Sequence, residues 1–308
     1  MSPENALRSA ILRGFASAKY LHSRPALVAH LQAGLAHVRG LQSAQKERLT
    51  QSLRQGYRDA LLAVKVELPV PVVKLDATLE AKLDVTNPRA IRWIEQHAAE
   101  LADFLDDSMQ SAVENIVRRM FVEHIPVDRA ARLIADIIGL DARYGNAVAT
   151  FEAGLVEEGR DPKQVSRLVE TYADRLRGAR ARAIARTESI KASVEGQKAI
   201  WQRAVETGIL DPSRTKRGWI VAADERLCAV CAPIPSQGAV GLDEPFIDGA
   251  GNPTDGPPIH VNCRCALKLV FEKPDGSYPE APAPAEAYAG GSPPRRSLRP
   301  KVPRQVLS

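Results

Sequence analysis

The chain has 308 residues, a net charge of +5, and 44% hydrophobic but only 5% aromatic residues. That is too long for a single core and too poor in aromatics to favour a β-sandwich. No run approaches the roughly 18 apolar residues that a membrane span needs, and Met1 to Ala10 holds no apolar stretch of the kind that drives secretion. The expectation is a protein used in a reducing cytoplasm with no membrane partner, where cysteines favour metal over disulfides. The charge is uneven. Arg295, Arg296, Arg299, Lys301 and Arg304 lie in the acid-free stretch 289–308, and subtracting them from 42 basic residues leaves 37 against 37 acidic. A neutral body argues against a general nucleic-acid binder. The five tail cations are the candidates for contact with DNA.

In chain order, Leu41, Leu49, Leu53, Tyr57 and Leu61 recur at multiples of four, the spacing of one helix face. Pro25 opens an earlier helix carrying His30 and His37 at i,i+7, read as packing or surface residues because no acid or cysteine is near. The prolines of V-E-L-P-V-P-V-V-K-L, from Val66 to Leu75, exclude a central strand and predict an extended connector. Asn87-Pro88 starts a long helix to about 122. Its apolar ladder runs through Ile91, Ile94, Ala98, Leu101, Leu105, Met109, Ala112, Ile116 and Met120. A helix after Pro126 ends at Gly139, one from Asp141 ends near Glu158, and Asp161-Pro162 opens a tract reaching toward Val205. Inside that tract Arg175, Arg177, Arg180, Arg182 and Arg186 form a basic run, read as a solvated face or as a contact to phosphate or an acidic partner.

After Gly208 the pattern changes. Lys216 to Ala222 and Ala266 to Phe271 read as short strands that could pair, and the Pro- and Gly-rich stretch between them needs a cross-link at its base. The four cysteines supply one. C-A-V-C (Cys228, Cys231) and H-V-N-C-R-C (His260, Cys263, Cys265) are two knuckles that together offer five donors for four metal positions. Either Cys265 or His260 can stand outside the set, so both a four-cysteine and a Cys-Cys-His-Cys site fit. Disulfides and plain reduced thiols are the competing readings. A structural zinc ion suits the pattern best, and no H-x-E glutamate accompanies the knuckles to make the site deaminase-like. From Lys273 onward, proline content and low hydrophobicity predict a disordered tail.

R-T-E at 186–188, W-I-V-A-A-D-E-R-L-C-A-V-C, E-P-F at 244–246 and P-P-I-H-V-N-C-R-C, in this order, resemble the phage Mu F-like minor head protein family. With the lead-in I-G-L-D-A-R-Y-G-N-A-V, the likeness covers about residues 90–272. H-P-N-C-R-C is the commoner form of the last motif, and Val261 replaces its proline without touching a candidate ligand. The resemblance implies a head-morphogenesis protein of a tailed phage or prophage. It would associate with portal and capsid or scaffold proteins, be assembled in the bacterial cytoplasm, and be carried in the virion with packaged DNA. The family is not known for catalysis. Arg186, Thr187, Glu188, Asp224, His260 and Arg264 match its recurrent polar positions, and Arg186 and Glu188 are expected to dock their helix onto the stapled loop.

The expected architecture is mainly α with a small α+β C-terminal module: an elongated helical body, a Cys/His-stapled loop capping it, and a disordered Pro-rich tail. The divisions read from the sequence are 1–75, 76–210, 211–272 and 273–308. The function expected is that of a minor structural protein, not an enzyme. The alternatives are an enzyme or toxin-like module transferring a nucleotidyl or ADP-ribosyl group or cutting nucleic acid, and a zinc-dependent nucleic-acid-binding protein. No phosphate-cradling glycine loop supports the enzyme reading.

Overall fold

Sequence punctuation sets most helix boundaries in the computed structural model, which describes residues 3–21, 43–62, 64–69, 78–82, 88–122, 127–137, 139–222, 224 and 227–282. Helix α1 spans Pro3–Leu21, α2 Ser43–Leu62, α3 Pro88–Val122, α4 Val127–Ile137, α5 Ala142–Glu157 and α6 Pro162–Glu206. The Asp141 carboxylate accepts the Tyr144 N–H at 3.0 Å and caps α5. Asp161 accepts the N–H groups of Lys163 and Gln164 at the head of α6. Beyond α4 the chain turns at Gly139 with φ 86°, a conformation in which a side chain is strained. The helix expected after Pro25, with His30 and His37, and the tail cations Arg295, Arg296, Arg299, Lys301 and Arg304 lie outside the described residues. No helix among the described residues is long and apolar enough to cross a membrane.

The stretch after α2 differs from the connector expected. Lys65–Pro69 (β1) and Thr78–Lys82 (β2) pair antiparallel, from Lys65 opposite Lys82 to Pro69 opposite Thr78. A two-stranded ribbon has only edges, so a proline at the end of β1 removes no obligatory ladder bond. The prolines exclude a central strand but permit this one.

The chain divides into two units, each gathered from separate stretches. One comprises Leu7–Gln55, Glu95–Arg182 and Arg296–Ser308, and its described part is helical. The apolar ladder of α3 is buried at Ala98, Leu101, Leu105, Met109, Ala112 and Ile116. Phe104, off that face, is 57% exposed. Phe151 of α5 meets Tyr172 of α6 edge to face, with ring centroids 4.9 Å apart. Arg129 of α4 forks onto the buried Glu152. The basic run of α6 is not one solvated face, because of its five arginines only Arg175 and Arg182 are exposed. Arg177 is buried and donates to the Asp136 carbonyl at 2.5 Å. Arg180, 4% exposed, donates to the Gly139 carbonyl at 2.8 Å and to Ser108 Oγ at 2.5 Å, and lies over the Phe15 ring. Both arginines thus satisfy carbonyls at and just beyond the C-terminal end of α4, where positive charge is favoured.

The second unit comprises Met1–Ala6, Gly56–Ile94 and Ala183–Arg295. Its helical core joins Tyr57 and Leu61 of α2, Ala90 and Ile94 of α3, and Val194, Ile200 and Trp201 of α6, all buried. Ile91, expected on the inner face of α3, is 39% exposed. The β module contains β3 (Thr215–Ile220), β4 (Val240–Gly241), β5 (Phe246–Ile247), β6 (Pro253–Thr254) and β7 (Ala266–Phe271). β3 and β7 pair antiparallel as the sequence predicts, from Thr215 opposite Phe271 to Ile220 opposite Ala266, in a three-stranded sheet of order β4-β3-β7. β5 and β6 form a separate ribbon. The first residues after β7 turn back, with Lys273 N–H bonded to Ser277 O, and Tyr278 donates from its hydroxyl to the Ser213 carbonyl at 3.2 Å.

Candidate metal centre

The β3–β7 register brings the two knuckles together. With Ile220 opposite Ala266, Cys265 stands at the head of β7 while the chain leaving β3 runs directly into Asp224 and Cys228. The Sγ atoms of Cys231, Cys263 and Cys265 lie within 4.8 Å of one another, and so do the ligand atoms of Cys228, Cys231 and His260. Cys231 is common to both triads. Cys231, Cys263 and Cys265 are buried, Cys228 is half-buried, and all four are free thiols. His260 Nε2 is 3.1 Å from Cys228 Sγ and 3.2 Å from Cys231 Sγ. Its Nδ1 is 3.0 Å from the Val261 carbonyl. A proton on Nδ1 donated to that carbonyl leaves Nε2 bare toward the sulfurs, the tautomer and second contact that ligating histidines use.

The thiols share charge unequally. Hydrogen bonds from Cys231 and Cys265 outweigh burial and hold the Cys263 thiol down, to about 2. Bonds to Cys263 and Cys265, with burial, push Cys231 well above the ordinary thiol range. The bond to Cys231 pulls Cys265 down, but Cys263 and burial outweigh it and push Cys265 up to about 11. Shared hydrogen bonds thus make one of the buried thiols easier to deprotonate at its neighbours' expense, and a bound cation would displace the protons that remain. Buried thiolates with one imidazole suit a borderline-soft ion, so this cluster can hold a metal.

Three further contacts fix the knuckles. His260 to Cys263 is a turn closed by Cys263 N–H to His260 O at 3.1 Å, with Asn262 at φ 62°. Asparagine tolerates that left-handed conformation better than most residues. The Asn262 N–H donates to Thr187 Oγ1 at 3.1 Å. Arg264, between the C-x-C thiols, forks onto the Asp224 carboxylate, with Nη2 at 2.5 Å from Oδ1. Arg186 and Glu188, expected to dock α6 on the loop, have other partners. Arg186 Nη2 lies 3.7 Å from Glu4 Oε1, and Glu188 accepts the Tyr57 hydroxyl at 2.5 Å. Within R-T-E it is Thr187 that reaches the loop.

Sequence reasoning missed Arg217, which organises the Pro- and Gly-rich loop from β3. It is 1% exposed and donates to the carbonyls of Gly241 (3.3 Å), Asp255 (2.8 Å) and Glu244 (2.5 Å), and to Asp255 Oδ1 (2.8 Å). It also lies over the ring of Phe246, itself packed edge to face on Trp219 at 5.3 Å. The only hint was an arginine leading into the apolar run W-I-V of a predicted strand.

Residues 149–268 match the family model described as Phage Mu protein F like protein. The match bears out the resemblance over a span narrower than residues 90–272, and that span contains R-T-E, both knuckles and most of the β module. No curated relative and no solved structure matches the chain.

Proposed function

We propose that this chain, whose residues 149–268 match the phage Mu protein F-like family model, is a minor structural protein of head morphogenesis in a tailed phage or prophage. In this reading it joins portal and capsid or scaffold proteins during head assembly and DNA packaging, stays in the virion, and performs no catalysis. The observation that carries the reading is the coincidence of the family match with a donor cluster that suits architecture. Cys231 belongs to two groups of candidate ligands, one with Cys228 and His260 and one with Cys263 and Cys265, and thiolates with an imidazole are the donors of structural zinc sites. Zinc there would act as a cross-link and contribute folding energy to a loop poor in apolar residues.

Two measurements test the proposal. Metal analysis of chain purified under reducing conditions without chelator should find about one zinc ion per chain, and Cys231→Ser, which removes the donor shared by both triads, should abolish it. For the assembly role, the gene is deleted from the phage or prophage and particles are examined by electron microscopy and immunoblotting. Wild-type particles should contain the chain and deleted ones should fail in head formation or packaging. Normal filled heads without the chain would refute it.

A further inference from the structure

We propose that the turn from Phe246 to Asn252 positions the C-A-V-C knuckle, and that Gly249 is the residue that sets the metal affinity of Cys228 and Cys231; this rests on the metal reading above. The turn is rigid on its own account. Asp248 Oδ1 accepts the N–H groups of Ala250 (2.8 Å) and Asn252 (2.9 Å), and Asp248 N–H donates to Asn252 O at 2.9 Å. At its base Phe246 is fully buried, and the Gln237 amide bonds both the N–H and the carbonyl of Ile247.

At its tip the turn touches the knuckle by backbone alone. Gly249 N–H donates to the Val230 carbonyl at 2.8 Å. That carbonyl and the Cys231 N–H belong to one planar trans peptide, so they point in opposite directions. The Cys231 N–H in turn is shared within Cys228, 3.2 Å from its carbonyl oxygen and 3.4 Å from its Sγ. Holding the carbonyl from one side therefore turns the N–H toward Cys228 on the other and fixes where that residue's sulfur stands. The contact tolerates no side chain: a Cβ on Gly249 would stand 2.3 Å from the Ala229 carbonyl oxygen and 3.0 Å from Val230 Cα. Gly249 is required for close approach of two backbones, and a methyl group there must rotate or push away the peptide that orients Cys228.

The test is cobalt(II) binding to the full chain. Affinity is read by competition with a chelator, and site geometry by the sulfur-to-cobalt charge-transfer and ligand-field bands. Gly249→Ala should weaken binding about 10- to 100-fold, the range for lost outer contacts to a metal ligand, and should shift the bands. Asp248→Ala, which loosens the turn without a clash, should act in the same direction more weakly, and it is the variant read if Gly249→Ala does not fold. Gly208→Ala serves as control, because Gly208 has φ 74° with nothing within 4 Å of an added Cβ, so alanine there introduces backbone strain without a clash. Wild-type affinity and bands in Gly249→Ala would overturn the inference alone. Equal weakening in Gly208→Ala would overturn it too, by showing general destabilisation. A wild-type chain that binds neither cobalt nor zinc would overturn the metal reading and this inference with it.

Discussion

Replacing Arg217 with methionine tests whether the Pro- and Gly-rich loop is held by one side chain as well as by the cysteine cluster. The substitution preserves much of the buried volume and removes every donor. Three carbonyls, of Gly241, Glu244 and Asp255, then lose their partner. Deep burial would cost more, but these acceptors sit in half-buried or exposed residues and water replaces part of the lost bonding, so about 1 kcal/mol each is apt. The Asp255 side chain is 66% exposed, so its ion pair adds well under 1 kcal/mol. Arg217→Met should therefore destabilise the β module by about 3 kcal/mol. Arg217→Lys should recover little, because an ammonium cannot reach three divergent carbonyls with a planar fork. The assay is urea unfolding of metal-saturated chain, followed by fluorescence with Trp219, which packs on Phe246 at 5.3 Å, as a reporter of the module. A loss below about 1 kcal/mol, within the range of an ordinary surface change, would refute the view that Arg217 organises the loop.

Two other substitutions separate the roles of similar residues. Arg180→Ala, which leaves the Gly139 carbonyl and Ser108 without their buried donor, should cost about 2–4 kcal/mol in thermal unfolding. Arg182→Ala, on an exposed position of the same run, should stay within about 0.5 kcal/mol; equal effects would contradict the division of the run into buried and solvated arginines. At Asn262, φ 62° favours glycine, so Asn262→Gly should be nearly neutral while Asn262→Ala loses about 1 kcal/mol. The reverse order, in thermal unfolding of metal-loaded chain, would mean that the Asn262 side chain matters and its backbone conformation does not.

Local chemistry made much of this legible. Asp141, Asp161 and the prolines at 88 and 162 mark helix starts because capping is satisfied by residues one to three positions away. The β3–β7 pairing and the two knuckles were readable because strand patterns and donor spacing are also short-range signals. What escaped depends on distant partners. Nothing beside Arg177 and Arg180 distinguishes them from the exposed Arg175 and Arg182, because the carbonyls they satisfy lie across the fold on another element. Thr187 is no more conspicuous than its neighbours in R-T-E, yet it meets Asn262 because of how the loop returns. The β1–β2 ribbon was hidden by a proline rule that applies to central strands and was here met at an edge.

The second unit draws on residues 1–6, 56–94 and 183–295, and this has a consequence for synthesis. Glu4 faces Arg186 and Tyr57 meets Glu188, so the earliest segments emerge from the ribosome long before their partners exist. At roughly 5–20 residues per second, Tyr57 and Leu61 wait on the order of ten seconds with their apolar faces uncovered, and the last thiol follows later still. Such delayed, long-range closure slows folding and invites aggregation. A fragment cut at the limits of the family match would retain Glu188 without Tyr57 and Arg186 without Glu4. Expression trials should therefore keep the N-terminal segments, and co-expressed chaperones should raise yield most where translation is slowest.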